Sequence, residues 1–367
     1  MNKLLNNFLL GDLELANRVV MAPMTRSRAG LGDTPTSLNA TYYAQRASAG
    51  LIITEATNIT DNSCAFEKSP GIYTAAQVNG WRRVVESVHA SSGRIFCQLW
   101  HCGRVGAKGI LNGQRPLAPS DVNDDLDLLH VWALLANGRY VKISATASRS
   151  MSIAEIEDAV REYSRAAANA WSAGFDGVEV HAANGYLPHQ FLASSTNKRV
   201  DKYGGSVENR ARFLREVLIG ISQAVPLNRV GVRLSPTAAY NNALDSDPAE
   251  TYAYVARMLQ ELGVAFVEIA DTNAWGGKAD RDDLLKMIKP NFSGAIMLNG
   301  GLTPELAEEI ILSGRIDLAS FARSYIANPD LPERIAIHAP IREALPEAWY
   351  GGSSSGYTDF PRLSGQD

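Results

Sequence analysis

The sequence is poor in cysteine, with only Cys64, Cys97 and Cys102 among its 367 residues. Their spacing matches no common metal-binding pattern, and an odd number argues against a framework of disulfide bonds. We therefore expect three free thiols and no bound metal.

Long apolar runs and a surplus of basic charge are also missing. The apolar stretch from Leu4 to Leu10 is interrupted by Asn6 and Asn7, is too short to span a bilayer and lacks a signal-peptide cleavage pattern. The formal net charge of −4 offers no basic surface for nucleic acid. These absences predict a cytoplasmic protein that binds neither membranes nor nucleic acids.

Nothing in the sequence marks a domain boundary. Low-complexity linkers, internal repeats and blocks of like charge are missing, while 46% of the residues are hydrophobic, which is enough for a sizeable core. Barrels of alternating strands and helices reach this length without dividing. We expect one domain over residues 1–367.

A short strand followed by a helix is the recurring pattern of this chain. The candidate strands are mostly apolar with little alternation, as in parallel strands buried on both faces. They span residues 18–21, 51–54, 95–99, 177–181, 230–234, 266–270, 295–299 and 318–321. Helical patterns separate most of them, at 75–90, 152–173, 207–225, 248–262 and 304–313.

Eight strand and helix units predict a closed (β/α)₈ TIM barrel. Helix starts are marked by a capping box from Ser152 to Glu155 and by the pairs Asp247-Pro248 and Thr303-Pro304. A doubly wound sheet is the structural alternative. No G-x-G-x-x-G motif follows the first strand, however, so the strongest indication of that fold is missing.

Two regions depart from the strand and helix pattern. Residues 8–17 form a strand, turn, strand pattern around Gly11 and Asp12, which predicts a β-hairpin that plugs the bottom of the barrel. Residues 103–150 lie between the third strand and its helix, and a connection of this length is usually functional. We expect a flap over the strand ends, with a hairpin at Asn137-Gly138.

A dense polar cluster follows the fourth strand. After Val178 and Val180 the chain presents His181, Asn184 and Tyr186 within six residues. His181 and Asn184 could both donate to one oxygen, and the Tyr186 hydroxyl could act as a general acid. Such a site would polarise a carbonyl and protonate a neighbouring carbon. The alternative is a core histidine with satisfied hydrogen bonds and a packing tyrosine.

Two motifs carry a family resemblance. The pattern H-x-x-N-G-Y-L-x-x-Q-F-L starting at His181 and the pattern N-x-R-x-D-x-Y-G-G-S-x-E-N-R-A-R-F starting at Asn197 resemble the Old Yellow Enzyme family of flavin-dependent ene-reductases. The similarity extends to Tyr357-Thr358-Asp359 and is greatest to the bacterial branch that includes pentaerythritol tetranitrate reductase and N-ethylmaleimide reductase. One stretch in the middle of the chain, residues 128–143, diverges from the family.

The resemblance implies an enzyme with non-covalent FMN and with NADPH or NADH as reductant. FAD is disfavoured because no dinucleotide-binding motif is present. Electron-poor alkenes (enones, enals, maleimides and nitroalkenes) would be reduced, with their oxygen between His181 and Asn184 and with Tyr186 as proton donor. We expect the protein to be a monomer or a homodimer.

The resemblance also implies the contacts of the flavin ring. They are Pro23, Met24, Thr25, Ala56, Gln98 and Arg233, with Thr25 toward O4, Gln98 toward the pyrimidine edge and Arg233 beside N1 and O2. A positive charge beside N1 stabilises the reduced flavin. Ordinary capping and loop hydrogen bonds are the alternative for Thr25 and Gln98, and a salt bridge to a barrel carboxylate is the alternative for Arg233.

The ends of the last two strands predict a phosphate site. Backbone N–H groups and a short helix bind phosphate at this place in many barrels, and the candidates here are Asn299, Gly300, Gly301, Ala322 and Arg323. The family usually has glycine before the arginine, where this chain has Ala322. A methyl group fits there if φ is negative.

Other departures concern the substrate. Phe66 stands where the family commonly has tyrosine, Cys102 follows His101 where a small aliphatic residue is usual, and residues 148–151 replace a segment with Pro-Arg. We expect an altered substrate pocket, with walls that include Phe66, Trp100, Trp275 and Tyr350. A desaturase or isomerase that uses Tyr186 as a base, and a barrel that binds without catalysis, are the alternative functions.

Overall fold

The computed structural model describes residues 3–363, apart from the side chains of residues 275 and 276. Its strands are β1 Phe8–Leu10, β2 Leu13–Leu15, β3 Val19–Met21, β4 Leu51–Ile53, β5 Thr57–Asn58, β6 Ile95–Trp100, β7 Leu117–Ala118, β8 Val131–Leu134, β9 Tyr140–Ile143, β10 Arg149–Ser150, β11 Gly177–Ala182, β12 Val230–Leu234, β13 Phe266–Ala270, β14 Ala295–Asn299 and β15 Leu318–Phe321. Its α-helices are α1 Ser37–Ala44, α2 Ala75–Ala90, α3 Ile153–Ser172, α4 Leu187–Leu192, α5 Val207–Ile221, α6 Pro248–Leu262, α7 Arg281–Ile288, α8 Pro304–Leu312, α9 Arg323–Ala327 and α10 Leu331–Ala336.

Within these residues, eight parallel strands form a closed barrel. They pair in the order β3, β4, β6, β11, β12, β13, β14 and β15, and the pairing of β15 with β3 closes the ring. Each predicted barrel strand is present, with bounds that agree to within one residue. The predicted (β/α)₈ barrel is therefore confirmed.

The helix starts follow the predicted capping signals. The Ser152 hydroxyl accepts a hydrogen bond from the Glu155 backbone N–H at 3.2 Å, and the Asp247 carboxylate accepts one from Glu250 at 3.0 Å. Helix α5 ends at Ile221, four residues earlier than predicted. Turns follow over residues 222–224, and Pro226 then disfavours helical backbone at Val225.

The predicted N-terminal hairpin closes the bottom of the barrel. Strands β1 and β2 pair antiparallel, and Leu10, Leu13 and Leu15 pack in one apolar cluster with Phe96 and Phe266 from the barrel strands. This cluster fills the barrel at the end where the parallel strands begin. The opposite end, where they finish, is left for polar side chains.

Polar side chains occupy the interior directly above the apolar cluster. Because strand side chains alternate with a period of two, Gln98 follows Phe96 and Glu268 follows Phe266 on the inner face. Glu179 and Arg233 lie on the two strands between them, and all four polar residues are buried. The fold thus places a charged layer beneath the carboxyl ends of the strands.

The long connection between β6 and α3 contains the predicted hairpin. Strands β8 and β9 pair antiparallel, and Gly138 in their turn has φ +82°. The hairpin reaches the loop after β5 through a backbone bridge between Trp132 and Phe66. In residues 3–363, the helices all fall short of the length and apolar character that crossing a bilayer requires.

Candidate active site

The loop after β11 brings His181, Asn184 and Tyr186 together. Asn184 adopts a left-handed backbone with φ +57°, and its N–H donates to the Ser235 hydroxyl at 2.7 Å. The next N–H, of Gly185, donates to His189 Nδ1 at 2.9 Å. These bonds turn the chain sharply, so that the rings of His181 and Tyr186 meet nearly at right angles, with centroids 4.9 Å apart.

Two polar side chains in this loop each contain one buried atom without a hydrogen-bond partner in the described part of the chain. His181 Nδ1 and Asn184 Oδ1 have no hydrogen-bond partner among residues 3–363. A buried polar group left unpaired costs roughly 1–3 kcal/mol, so such groups mark a place for a ligand or water. A half-turn of the Asn184 amide exchanges its oxygen and its NH₂ group. The pair can therefore present two donors to one oxygen.

His181 is a neutral imidazole. Burial, together with the positive charge of Arg233 and the nearby His189, holds its pKa well below the usual value. A neutral ring carries one N–H, which can donate to an acceptor without placing a full charge in the site. This donor suits an oxygen that gains negative charge during a reaction.

Tyr186 keeps its phenolic proton. Burial raises its pKa well above 10, and the neighbouring Tyr240 and Tyr350 raise it further. Its ring packs edge-on against Trp100, with centroids 5.1 Å apart. A tyrosine held protonated beside two hydrogen-bond donors can act as a general acid.

The floor beneath this loop is a charged network. Arg233 forms an ion pair with Glu268, and its Nη2 donates to Asn299 Oδ1 at 2.9 Å. Gln98 Nε2 donates to Glu179 Oε1 at 2.7 Å. The salt bridge that we considered as an alternative for Arg233 is thus present.

The strand ends around this network fit the ring of a flavin. Pro23, Met24 and Thr25 follow β3 and are half-buried, whereas Ala56 follows β4 and is buried. Gln98 belongs to the polar layer below them, two residues before the end of β6. This rim and the layer below it thus combine small side chains with a hydroxyl and an amide, which are suited to a flat, polar ring.

The ends of β14 and β15 fit a phosphate. Gly300 has φ +121° and Gly301 has φ +60°, and a Cβ atom on Gly300 would lie only 2.3 Å from the Asp271 carbonyl oxygen. Ala322 has φ −99°, as its methyl group requires. Arg323 is exposed and its guanidinium lies 5.1 Å from the Trp349 ring centroid. This end of the barrel is thus open and cationic, which suits a phosphate group.

The predicted pocket walls form an aromatic cluster. The Phe66 ring centroid lies 6.3 Å from those of both Trp100 and Trp132, and 5.7 Å from that of Tyr350. Trp132 belongs to the hairpin and was not among the predicted walls. Trp275 was, but its side chain lies outside the described residues. Cys64, Cys97 and Cys102 are buried free thiols, as predicted.

Other residues of the site escaped the sequence analysis. Asn241 donates from Nδ2 to the Asn184 carbonyl at 2.9 Å and accepts from the His130 N–H at 2.8 Å, so it braces the loop. Glu179 and Glu268 were also missed. Glu179 lies two residues before His181, on the same face of β11, and this period of two could have identified it.

The comparison with known proteins decides the family. The family described as NADH:flavin oxidoreductase / NADH oxidase matches residues 3–341. The chain belongs to this family, that of Old Yellow Enzyme. A Leishmania infantum protein named for flavin mononucleotide-dependent alkene reduction is 37% identical, and the match covers 98% of this chain and 97% of that protein.

Solved structures of Old Yellow Enzyme relatives have the same fold. Morphinone reductase in complex with tetrahydroNAD is 40% identical, with a TM-score of 0.93 and 99% of both chains covered. The Old Yellow Enzyme homologue from Zymomonas mobilis is 39% identical, with a TM-score of 0.91, and the match covers 98% of this chain and 100% of that chain. The finer assignment to a bacterial branch stays a prediction.

Family membership establishes the general activity. The protein is an NAD(P)H:flavin oxidoreductase of an FMN-dependent alkene reductase family, with FMN as cofactor and a nicotinamide as reductant. This finding disfavours a barrel that binds without catalysis. The cytoplasmic location, the oligomeric state and the lack of membrane or nucleic-acid partners stay predictions.

Proposed function

We propose that this protein reduces carbon–carbon double bonds activated by a carbonyl or nitro group, using NADPH or NADH. Enones, enals, maleimides and nitroalkenes are the substrate classes. The observation that supports this proposal is the pair of buried atoms on His181 and Asn184, which lack partners among residues 3–363 and lie beside a protonated Tyr186. Their arrangement suits an acceptor oxygen next to a carbon that needs a proton.

The residues that would hold FMN form two groups, one for the ring and one for the phosphate. Thr25, Ala56 and Gln98 would contact the ring, and Arg233 would face N1 and O2. The phosphate would be held by the residues at the ends of β14 and β15, namely Asn299, Gly300, Gly301, Ala322 and Arg323. Pro23 and Met24 would complete the rim beside the ring.

Bound FMN would supply the hydride chemistry that links the nicotinamide to the β-carbon of the alkene. His181 and Asn184 hold the oxygen of the electron-withdrawing group and stabilise the negative charge that grows on it. Tyr186 donates its proton to the α-carbon. Arg233 offers a positive charge to the reduced ring.

The aromatic cluster orients the alkene. Phe66, Trp100 and Tyr350 present ring faces and edges, which favour flat apolar substrates over charged ones. Trp132 places the β8–β9 hairpin against this wall. The divergent segment, residues 128–143, therefore contributes to substrate choice.

Three measurements test the proposal. The purified protein should be yellow and bind one FMN per chain, a phenol should produce a charge-transfer band, and an enone should reoxidise the reduced enzyme. His181→Ala/Asn184→Ala should keep the FMN but weaken phenol binding and slow reoxidation, because the oxygen loses both donors. Asn169→Ala, which removes a half-buried amide outside the site that donates to the Ile72 carbonyl, is the matched control.

Two results would contradict this proposal. A preparation that stays colourless after FMN is added would contradict the cofactor assignment, and reduced enzyme that no alkene reoxidises would contradict the reaction. Incubation with saturated ketones and isomerisable enones, with and without NADPH, separates reduction from desaturation and isomerisation. Turnover without nicotinamide would favour those alternatives.

A further inference from the structure

Arg233 and Glu268 form a buried ion pair at the centre of the barrel. They occupy paired positions on β12 and β13, and their side chains are 4% and 0% exposed. On the other side of Arg233, the paired residue of β11 is His181. The guanidinium therefore lies between the carboxylate and the substrate loop.

A second buried carboxyl adjoins this pair. Glu179 accepts a hydrogen bond from Gln98 through Oε1, while its Oε2 has no partner among residues 3–363. Burial and the neighbouring Glu268 raise the Glu179 pKa well above its usual value, and Arg233 opposes this only in part. The surrounding layer thus contains two carboxyls, one arginine, one neutral histidine and the amides of Gln98 and Asn299.

The charges of this layer do not cancel if both carboxyls are ionised. One arginine against two carboxylates leaves a net negative charge in a dry interior, directly beneath the place of the flavin. Removing a charge from water costs several kcal/mol unless it is paired, and two interacting carboxyls commonly share one proton. Both oxygens of Glu268 also lack a hydrogen-bond partner among residues 3–363, but Glu268 forms the ion pair with Arg233. Within those residues Glu179 forms no ion pair, so Glu179 is the group left to carry the proton.

We infer that Glu179 is protonated and Glu268 ionised, and that the charge of Glu268 limits how strongly Arg233 stabilises reduced FMN. Glu268 is then a positioning residue that sets the reduction potential through Arg233. This inference rests on the proposed contact of Arg233 with N1 and O2. The proton on Glu179 does not depend on that contact.

Two variants separate the roles of the carboxyls. Glu179→Gln replaces a protonated carboxyl by an amide of the same shape, so it should change the ratio of affinities for reduced and oxidised FMN by less than about threefold. Glu179→Gln/Glu268→Gln removes the remaining negative charge. It should raise that ratio at least about tenfold, which is a shift of about +30 mV for a two-electron couple.

Spectroelectrochemical titration of the FMN-loaded proteins measures this shift. Glu261→Gln, an exposed change of the same kind on α6, serves as the control. A tenfold change in Glu179→Gln alone, or an unchanged potential in the double variant, would overturn the inference. Wild-type protein that fails to bind FMN would instead overturn the proposed function.

Infrared spectroscopy tests the proton without any flavin and without changing Glu268. The wild type should show the carbonyl band of a protonated, buried carboxyl group, and Glu179→Gln should lose it. Should the double variant be too unstable to hold FMN, this comparison still decides the assignment. A band that persists in Glu179→Gln would show that the proton is elsewhere, and the inference would be wrong.

Discussion

The imidazole of His181 and the phenol ring of Tyr186 meet edge to face, with centroids 4.9 Å apart, in one tight loop at the end of β11. The first ring is neutral and short of a partner, and the second holds its proton. Binding an oxygen and delivering a proton are thus tasks of adjacent but different groups. A substitution at one of the two residues should therefore impair one task and preserve the other.

Tyr186→Phe removes only the proton donor. We expect reduction of the bound FMN by nicotinamide to stay nearly unchanged, whereas reduction of an enone slows by roughly 10² to 10⁴, as is typical for loss of a general acid. Nitroalkenes should be affected less, because their nitronate products are stable without that proton. Stopped-flow absorbance separates the two half-reactions.

Tyr252→Phe is the matched control for this variant. Its hydroxyl is also buried and has no partner among residues 3–363, but it lies on α6. It should leave both half-reactions unchanged. If Tyr186→Phe slowed the nicotinamide step and spared the enone step, Tyr186 would belong to nicotinamide binding instead.

The barrel could be predicted because the sequence signals for its strands, helices and turns lie within each element. Short apolar runs, capping residues such as Ser152 and the turn at Asn137-Gly138 each specify their own element. The partner of Arg233 could not be identified in this way. Its ion pair with Glu268 depends on the register of β12 and β13, whose paired residues are 35 positions apart in the sequence. Trp132 was missed for a similar reason, since its contact with Phe66 joins strand β8 to the loop after β5.

Gly300→Ala should weaken FMN binding at least about tenfold, or about 1.4 kcal/mol. The backbone there has φ +121°, and the added methyl group would meet the Asp271 carbonyl oxygen at 2.3 Å, so the proposed phosphate loop must shift. Fluorescence titration of the apoprotein with FMN measures the change. Gly314→Ala, with φ +70° and open space around the methyl group, should keep wild-type affinity; equal weakening in both variants would contradict a phosphate site at Gly300.

The buried histidines should make the protein sensitive to acid. Burial lowers the pKa of His101 to about 3 and that of His189 to about 4, and each Nδ1 accepts a backbone N–H that a protonated ring cannot accept. Because both native values lie below the unfolded value of about 6.5, their contribution is present above that pH and is lost as the pH falls. From about pH 7 to about pH 5, the two histidines together should lower the free energy of unfolding by about 3–4 kcal/mol.

Urea denaturation at several pH values checks this dependence. His189→Gln, whose side-chain oxygen can still accept from Gly185, should show a shallower loss than the wild type. His338→Gln changes an exposed histidine and should keep the wild-type slope. Identical slopes in all three proteins would contradict the assignment to His189.

Arg26→Met should destabilise the protein by roughly 3–5 kcal/mol, because several buried hydrogen bonds are lost together. The side chain is fully buried and donates to the carbonyls of Ala348, Trp349 and Gly356, each at 2.9 Å, and to the Tyr42 hydroxyl at 2.8 Å. Methionine fills similar space but leaves those oxygens unpaired. Urea denaturation measures the loss.

The same arginine ties the C-terminal segment to the site. Residues 348–356 include Tyr350, which packs on Phe66, while the residue before Arg26 is Thr25 on the proposed flavin rim. Arg26→Met should therefore also speed proteolytic cleavage within 348–356 and raise KM for enones more than it changes reduction by nicotinamide. Arg161→Met removes an exposed arginine that forms an ion pair with Asp158 on the same helix and should change neither. Unchanged proteolysis in Arg26→Met would show that the aromatic cluster, and not the arginine, holds this segment in place.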